Sequence, residues 1–329
     1  MNKQPIIEYL TGEGAYPDEP DGRDLFIATA GQSKVDWEKG FDIYHNLDLE
    51  LEIKNQGSSL SCVGQAVAYY AEVLQYIEVA DEVEPEDYRE FSAKSIYAQI
   101  RLPERGGSYL RDGVKTMVDY GINSEDVVES GSIEDVYLDK GFLTKENIAE
   151  AKIYQSEKFY MTAHYNDIDA VAEAIEVGNG AIIGFWGSNS GMQTAFITPP
   201  PEDYSERIWG HAVYGCGFLI INGKKYIKFV NSWGKSWGEK GFGYISEDYF
   251  KAKRVFSPWT LIDKKNTMAN FKVLIVRDGQ KWGVGIDTDR NLFVEYASSE
   301  EEYKLLGKKF GVEVIKKDGT FVEPNLIIK

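Results

Sequence analysis

The sequence predicts an α+β protein in which a helical lobe precedes a β-rich lobe. After Cys62, small and apolar residues recur at the i, i+3, i+4 spacing of a helix with one buried face. From about residue 157 to residue 262 the pattern changes to strands, and two of them are joined by a hairpin turn at Asn222-Gly223. Helices first and strands second are typical of the α+β class.

The other elements follow from the same two periodicities. Two further helices are predicted over FSAKSIYAQIR and over YLRDGVKTMVDYG, and the second of them ends at Gly121. After a charge-rich linker, KFYMTA is a predicted strand, DIDAVAEAIEVGNG a helix that ends at Gly178 or Gly180, and AIIGFW a buried strand. The runs HAVYGCGFLI, KKYIKFV and GFGYIS complete the strand-rich region.

The chain divides into three predicted parts, an N-terminal arm (1–29), a main domain (30–264) and a small β-rich C-terminal domain (267–329). The arm is acidic and rich in turn-forming residues, as in GEGAYPDEPDGRD. The C-terminal domain contains the predicted strands FKVLIV, KWGVGID and LFVEYA. A short helix (SEEEYKLLGKKF) and a final hairpin around Asp318-Gly319 are expected after them.

Composition excludes several classes of function. The net charge of −17 argues against a nucleic-acid partner, because an acidic surface repels phosphate. The start of the chain lacks the apolar core of about 7–15 residues that a signal peptide requires. No run approaches the roughly 18 apolar residues of a membrane span. We therefore expect a cytoplasmic or particle-associated protein with no membrane partner.

Cys62 is the candidate nucleophile. A cysteine at the start of a helix lies where the helix dipole favours a negative charge, and a thiolate is the reactive form of the side chain. Gln56 precedes Cys62 by six residues, so its side-chain N–H can join the Cys62 backbone N–H in an oxyanion hole. A cysteine in an apolar helix is, taken alone, more often an inert core residue.

The spacing of two downstream motifs favours the catalytic interpretation. Gly210-His211-Ala212-Val213 leads into a strand, and Asn231-Ser232-Trp233-Gly234 begins 20 residues after the histidine. Cys62 and His211 are 149 residues apart, inside the window of about 130–150 residues that is typical of papain-type enzymes.

Three segments resemble the conserved motifs of the papain family of cysteine peptidases. QGSSLSC is similar to the family's QGxCGSCW segment, GHAVYGCGF to its histidine strand, and NSWGKSWGEKGFGYIS to its long Trp- and Gly-rich block. GGSYLRDGVKTMVDYGI and Tyr97-Ala98-Gln99 resemble the helical lobe of prokaryotic members. The resemblance covers roughly residues 30–260. It implies a papain-like fold with a helical lobe and a β-barrel-like lobe, and a cysteine-type endopeptidase that acts on peptides or proteins.

The resemblance also implies a role for each matching residue. Cys62 would attack the peptide carbonyl, and His211 would form its imidazolium partner and then protonate the leaving amine. Asn231 would orient the imidazole, and Gln56 would donate to the oxyanion. The implied substrate-binding residues are Gly106, Gly107, Ala212 and Trp233: the glycines bind substrate backbone, the alanine lines the specificity pocket and the tryptophan shields the histidine.

The chain departs from the family pattern at several positions. Ser59 replaces the family's second cysteine and Leu60 its neighbouring glycine, so the disulfide that usually ties this loop is absent. Val63 follows the nucleophile in place of an aromatic residue, and Gly210 stands where many members have Asp or Asn. No inhibitory prodomain is recognisable before Cys62. Three explanations stay open: the protein is made active, is controlled by its own arm or tail, or is restrained by its context.

Two alternatives to an active peptidase remain. The site can be vestigial or catalyse amide transfer, or the chain can be a structural component of a large particle, such as a virion, that docks a partner through 267–329.

No cofactor or metal is expected. His45 and His164 have no partner at metal-ligand spacing, and the run from Asp287 to Asn291 departs from a calcium loop at its sixth position. Cys216, on an apolar strand, is predicted to be a packed core thiol.

Overall fold

The computed structural model describes most of the chain between residue 14 and residue 297. The described ranges are 14–29, 35–50, 52–80, 89–162, 164–203, 205–262, 272–278, 281–287 and 292–297.

The helices lie mainly in the first half of the chain. They are α1 (Ile43–Asn46), α2 (Cys62–Ala80), α3 (Ala93–Ile100), α4 (Leu110–Asp119), α5 (Glu134–Leu138), α6 (Lys145–Ala151), α7 (Ile168–Gly178) and α8 (Glu247–Lys251). A 3₁₀ turn, Lys152–Tyr154, follows α6.

The strands lie mainly in the second half. They are β1 (Ala15–Tyr16), β2 (Phe26–Thr29), β3 (Phe41–Asp42), β4 (Ser108–Tyr109), β5 (Lys158–Thr162), β6 (Ala181–Ser188), β7 (Phe196–Ile197), β8 (Ile208–Ile221), β9 (Lys224–Val230), β10 (Phe242–Ser246), β11 (Val255–Ile262), β12 (Lys272–Asp278), β13 (Lys281–Asp287) and β14 (Leu292–Ala297).

One mixed sheet contains twelve of the described strands. Its order is β12-β13-β14-β2-β5-β11-β6-β8-β9-β10-β7, and β3 pairs with β8 beside this path. The path is open, so the strands of the β-rich lobe do not close into a barrel among the described residues. A separate two-stranded sheet joins β1 and β4 in parallel.

The central helix α2 joins the two lobes. Val63, Val67 and Tyr70 are fully buried, and further residues on other faces of the helix are buried as well. A helix that is buried on all sides belongs to the interior of a protein. One apolar core surrounds α2, α3 and α4, and a second core lies between α7 and the long strands β6, β8 and β9. Cys62, the first residue of α2, is thereby held between the lobes.

The turns predicted from the sequence take the expected backbone conformations. Asn222 and Gly223 both have positive φ, 51° and 77°, as a two-residue hairpin turn requires. Gly121 follows α4 with φ 84°, and α7 ends at Gly178, where Asn179 adopts a left-handed conformation.

The predicted fold class is confirmed, and several details differ from expectation. The β-rich lobe is an open sheet, because β11 and β5 continue it outward toward β2. The segment expected to be a charge-rich linker contains α5 and α6, which are too short to give a clear period. The arm, for which the sequence indicated turns and no strand, contributes β1 and β2. The helix SEEEYKLLGKKF and the hairpin at Asp318-Gly319 lie outside the described residues.

The predicted domain boundaries at 29, 264 and 267 stay predictions. Backbone pairing of β14 with β2 connects the strands after residue 267 to the main sheet. None of the helices in the described part of the chain has the length and apolar composition of a membrane-spanning segment.

Candidate active site

Cys62 lies at the start of α2 and is completely buried. Its loop is tied to the β-rich lobe, because Gln56 N–H donates to the Ser232 carbonyl (2.8 Å). The sulfur lies beside the backbone of β8, and Ala212 N–H is among its hydrogen-bond donors. Ala212 is itself buried and follows His211 directly on the long strand β8.

His211 and Asn231 form a direct hydrogen bond. His211 Nε2 lies 2.9 Å from Asn231 Oδ1, and the backbone N–H of Ser232 donates to the same oxygen at 2.9 Å. Because the Ser232 N–H can only donate, the Asn231 atom that it meets is the amide oxygen, and the Nε2 that shares this acceptor carries the imidazole proton. The lone pair of neutral His211 is therefore on Nδ1, which has no hydrogen-bond partner among the described residues. This tautomer leaves Nδ1 as a base.

Aromatic rings enclose the imidazole of His211. The Trp233 ring lies 4.9 Å from it at an interplanar angle of 35°, and Phe185 and Trp209 present their edges at 5.7 Å and 6.2 Å. Trp237 packs on Trp233 in turn, with 5.5 Å between the ring centroids. The low polarity of these rings strengthens the His211–Asn231 hydrogen bond by keeping water away from it.

The Gln56 side chain is held between the two lobes. Its Oε1 accepts from Ser232 Oγ at 2.6 Å, and its Nε2 donates to the Ser59 carbonyl at 2.8 Å. Ser59 Oγ donates to the Gln56 carbonyl and also lies 2.7 Å from Ser61 Oγ. Hydrogen bonds of serine hydroxyls thus hold the loop in which Ser59 replaces the family's cysteine.

The glycine loop adopts a conformation that favours glycine at both positions. Gly106 and Gly107 have φ of 68° and 66°. Gly107 uses both of its backbone groups inside the protein: its N–H donates to Tyr97 Oη at 2.8 Å, and its carbonyl accepts from Leu102 N–H at 2.9 Å. The first N–H after the loop, that of Ser108, instead donates to the Gly14 carbonyl at 2.8 Å.

The N-terminal arm lies directly on the thiol. A Cβ built on Gly14 would come within 2.3 Å of the Leu60 carbonyl oxygen and 2.7 Å of Cys62 Sγ, so this position has room only for glycine. The next residue, Ala15, is 1 % exposed, and its carbonyl would be 2.0 Å from a Cβ at Gly210. The glycine at position 210 therefore makes room for the arm.

Asp18 fixes the arm to both lobes. Its carboxylate accepts from Trp259 Nε1 at 2.7 Å and from Arg111 N–H in the first turn of α4 at 3.1 Å, and its own N–H donates to Ser257 Oγ at 2.9 Å. The Arg111 guanidinium holds Asp24 of the arm through two further hydrogen bonds, at 2.9 Å and 2.6 Å. A carboxylate at a helix N-terminus is a stabilising arrangement.

Burial favours the neutral forms of both Cys62 and His211 in this conformation. Desolvation raises the pKa of Cys62 to about 12, and backbone hydrogen bonds, from Ala212 foremost, offset the rise only in part. Desolvation also lowers the pKa of His211 to about 4, against the opposing effect of its hydrogen bond to Asn231. The thiolate–imidazolium pair expected from the sequence is therefore disfavoured while the arm covers the site.

The raised pKa of Cys62 has a measurable effect on stability. Between pH 9 and pH 12 the folded thiol keeps a proton that the unfolded thiol loses, so the stability due to the neutral thiol is present below pH 9 and is lost as the pH rises toward 12. We expect the free energy of unfolding of the wild type to fall more steeply over this range than that of Cys62→Ser, in denaturant titrations. If the free energy of unfolding falls equally with pH in the two proteins, the pKa of Cys62 is not raised by folding.

Contacts connect the predicted site residues of the two lobes, because Gln56 accepts from Ser232 Oγ next to Asn231 and a Cβ at Gly106 would meet the Leu60 side chain. Cys62, Gln56, Gly106 and Gly107 come from the helical lobe, and the β-rich lobe supplies the rest: His211, Ala212, Asn231 and Trp233. Sequence reasoning missed Gly14, Asp18, Glu134, Phe185 and Trp209. No local motif marks these residues, because their contacts join segments far apart in the chain.

Comparison with known protein families adds an independent observation. Residues 35–255 match the family model described as papain family cysteine protease. No curated protein matches the sequence.

Several solved structures share the fold. The cysteine protease xylellain of Xylella fastidiosa superposes with a TM-score of 0.64 and 21% identity over 77% of this chain and 96% of that chain. ProCathepsin B S9 of Trypanosoma congolense superposes with a TM-score of 0.55 and 16% identity over 76% of this chain and 86% of that chain. Digestive procathepsin L 3 of the Tenebrio molitor larval midgut superposes with a TM-score of 0.54 and 16% identity over 73% of this chain and 74% of that chain. Since the family model matches more than half of the chain and the same fold recurs in these proteases, this protein belongs to the papain family of cysteine proteases.

Proposed function

We propose that this chain hydrolyses peptide bonds with Cys62 as nucleophile and His211 as its base. The observation that carries the proposal is the hydrogen bond from His211 Nε2 to Asn231 Oδ1, which leaves Nδ1 as the basic nitrogen. Ala212 N–H brings β8 to the Cys62 sulfur, so the base and the thiol share one strand–helix junction. A thiol beside an oriented imidazole is the arrangement that nucleophilic catalysis by cysteine requires.

Each step of the proposed reaction has a residue to perform it. His211 Nδ1 takes the thiol proton, and Cys62 Sγ attacks the carbonyl carbon to form a tetrahedral adduct. The backbone N–H of Cys62 and the Gln56 side chain donate to the oxyanion. The imidazolium then protonates the leaving amine as the C–N bond breaks. Water, deprotonated by His211, hydrolyses the thioester and restores the thiol.

The arm gives this peptidase a latent resting state. Gly14 and Ala15 occupy the cleft where a substrate would lie, and β1 pairs with β4 at the edge next to the glycine loop. The Gly14 carbonyl is bound by Ser108 N–H and is not presented to Gln56 as a scissile carbonyl. The arm therefore blocks the site without being a substrate. Of the three explanations left open by the sequence, control by the arm has the most support.

Reaction with a thiol-directed epoxide inhibitor tests the proposed function. In the variant Gly14→Val, which forces the arm off the thiol, we expect a single adduct by intact-mass spectrometry, and peptide mapping places it on Cys62. The matched control Cys62→Ala is expected to give no adduct. Cys216, a buried thiol whose sulfur contacts the Lys228 carbonyl at 3.6 Å, remains unmodified in both proteins. An adduct on Cys216 would contradict the proposal. So would the absence of any adduct on a folded Gly14→Val protein.

A role in assembly through 267–329 stays a prediction of the sequence. The strands β12, β13 and β14 are connected to the main sheet by the pairing of β14 with β2. No contact in the described part of the chain favours this role over hydrolysis.

A further inference from the structure

Glu134 connects two loops that line the proposed active site. It is the first residue of α5 and lies far from Cys62 in sequence. One carboxylate oxygen, Oε2, accepts from Leu60 N–H at 2.9 Å, two residues before the nucleophile. The other, Oε1, accepts from Tyr97 Oη at 2.9 Å and from Arg101 Nε at 2.5 Å.

The Tyr97 hydroxyl links Glu134 to the glycine loop through two hydrogen bonds. Its oxygen accepts the N–H of Gly107 at 2.8 Å while its proton is donated to Glu134. Burial, with Glu134 next in importance, raises the pKa of Tyr97, so the hydroxyl remains a donor throughout the accessible pH range. Tyr97 is completely buried, and its ring position is therefore fixed by packing.

The two loops also touch directly at this point. A Cβ on Gly106 would lie 2.6 Å from Leu60 Cδ1 and 3.2 Å from Glu134 Oε1. Leu60 and Ser59 occupy the positions where this chain lacks the glycine and the cysteine of the family pattern. A charged hydrogen-bond acceptor with three donors thus lies between residues 56–61, the nucleophile loop, and the glycine loop of Gly106 and Gly107.

We propose that Glu134 is a positioning residue that holds the nucleophile loop and the glycine loop at a set separation, so that a substrate strand paired with Ser108 places its carbonyl at Cys62. This inference rests on the proposed peptidase function. Glu134 acts through Leu60 and through Tyr97, and does not itself touch the reacting atoms. Because the Gly107 N–H is committed to Tyr97, the proposal assigns the substrate-facing backbone edge to Ser108, where the Gly14 carbonyl is now bound.

The test compares two reagents in a Gly14→Val background, where the cleft is open. A peptidyl epoxide must pair with the backbone edge to react, whereas iodoacetamide needs only the thiol. For Glu134→Ala we expect inactivation by the peptidyl epoxide to slow by roughly tenfold or more, because three part-buried hydrogen bonds that hold the two loops together are lost. Alkylation of Cys62 by iodoacetamide is expected to change by less than about threefold. Peptide hydrolysis should show the loss mainly in KM.

Two further variants separate positioning from folding. Asp135→Asn, on the exposed neighbour in the same helix turn, is the matched control and should leave both rates unchanged. Tyr97→Phe removes the link to Gly107 but keeps the Leu60–Glu134 bond, so it should slow the peptidyl reagent alone. If Glu134→Ala does not fold, Glu134→Gln, which keeps one acceptor oxygen, is expected to give an intermediate loss.

Distinct outcomes separate this inference from the proposed function. Equal slowing of both reagents in folded Glu134→Ala, or no slowing of either, would overturn the positioning role. Absence of any Cys62-dependent reaction with the epoxide in the Gly14→Val parent would instead contradict the peptidase proposal itself.

Discussion

Gly14→Val is expected to raise the rate at which Cys62 reacts with an epoxide inhibitor by roughly 5- to 150-fold, which corresponds to a shift of about 1–3 kcal/mol toward the open cleft. Any Cβ at this position overlaps the Leu60 carbonyl and the Cys62 sulfur, and the two valine methyl groups enlarge that overlap. Once the arm leaves, water reaches Cys62 and His211. The desolvation that raises the pKa of the thiol and lowers that of the imidazole is then relieved, and the ion pair can form.

Gly22→Val is the matched control for this experiment. Gly22 lies in the same arm, and a Cβ there meets nothing within 4 Å. The Gly22→Val variant should react with the epoxide inhibitor at the same rate as the wild type. Asp18→Ala is a second way to loosen the arm, because it removes the acceptor for Trp259 and for the Arg111 backbone. An unchanged rate in both folded Gly14→Val and folded Asp18→Ala would show that the arm does not restrain the thiol.

Cys62→Ala is expected to lower peptide hydrolysis by roughly 10³-fold or more in the open Gly14→Val background. The substitution removes the only atom in the proposed site that can form the thioester. Hydrolysis of a fluorogenic peptide mixture, with kcat/KM as the readout, measures the loss.

Cys216→Ala is the matched control for the loss of a thiol. Cys216 lies on the same strand as His211 and is equally buried, and its side chain faces the Lys228 carbonyl. Its replacement should lower the free energy of unfolding and leave kcat/KM near that of the parent. If hydrolysis survives Cys62→Ala but is lost in Cys216→Ala, the nucleophile is Cys216 and the proposed role of Cys62 is contradicted.

The sequence was most informative where structure depends on local pattern. The small and apolar residues after Cys62 predict α2 because they repeat at helical spacing over several turns. The Asn222-Gly223 turn and the ends of α4 and α7 follow from residues that tolerate positive φ. The pairing of His211 with Asn231 was implied by the resemblance to the papain family, which depends in part on the long Trp- and Gly-rich block that contains Asn231.

The sequence by itself therefore determined the fold class, because periodicity is a local property of the chain, and its resemblance to the papain family supplied Cys62, His211 and Asn231 as candidates. Only the tertiary structure decided what covers the thiol and what connects the loops beside it. Gly14 reaches Cys62 and Glu134 reaches Leu60 across long stretches of intervening chain, through contacts that leave no periodic signal. The neutral state of Cys62 and His211 also depends on the tertiary structure, since desolvation is set by everything packed around a group and not by its neighbours in sequence.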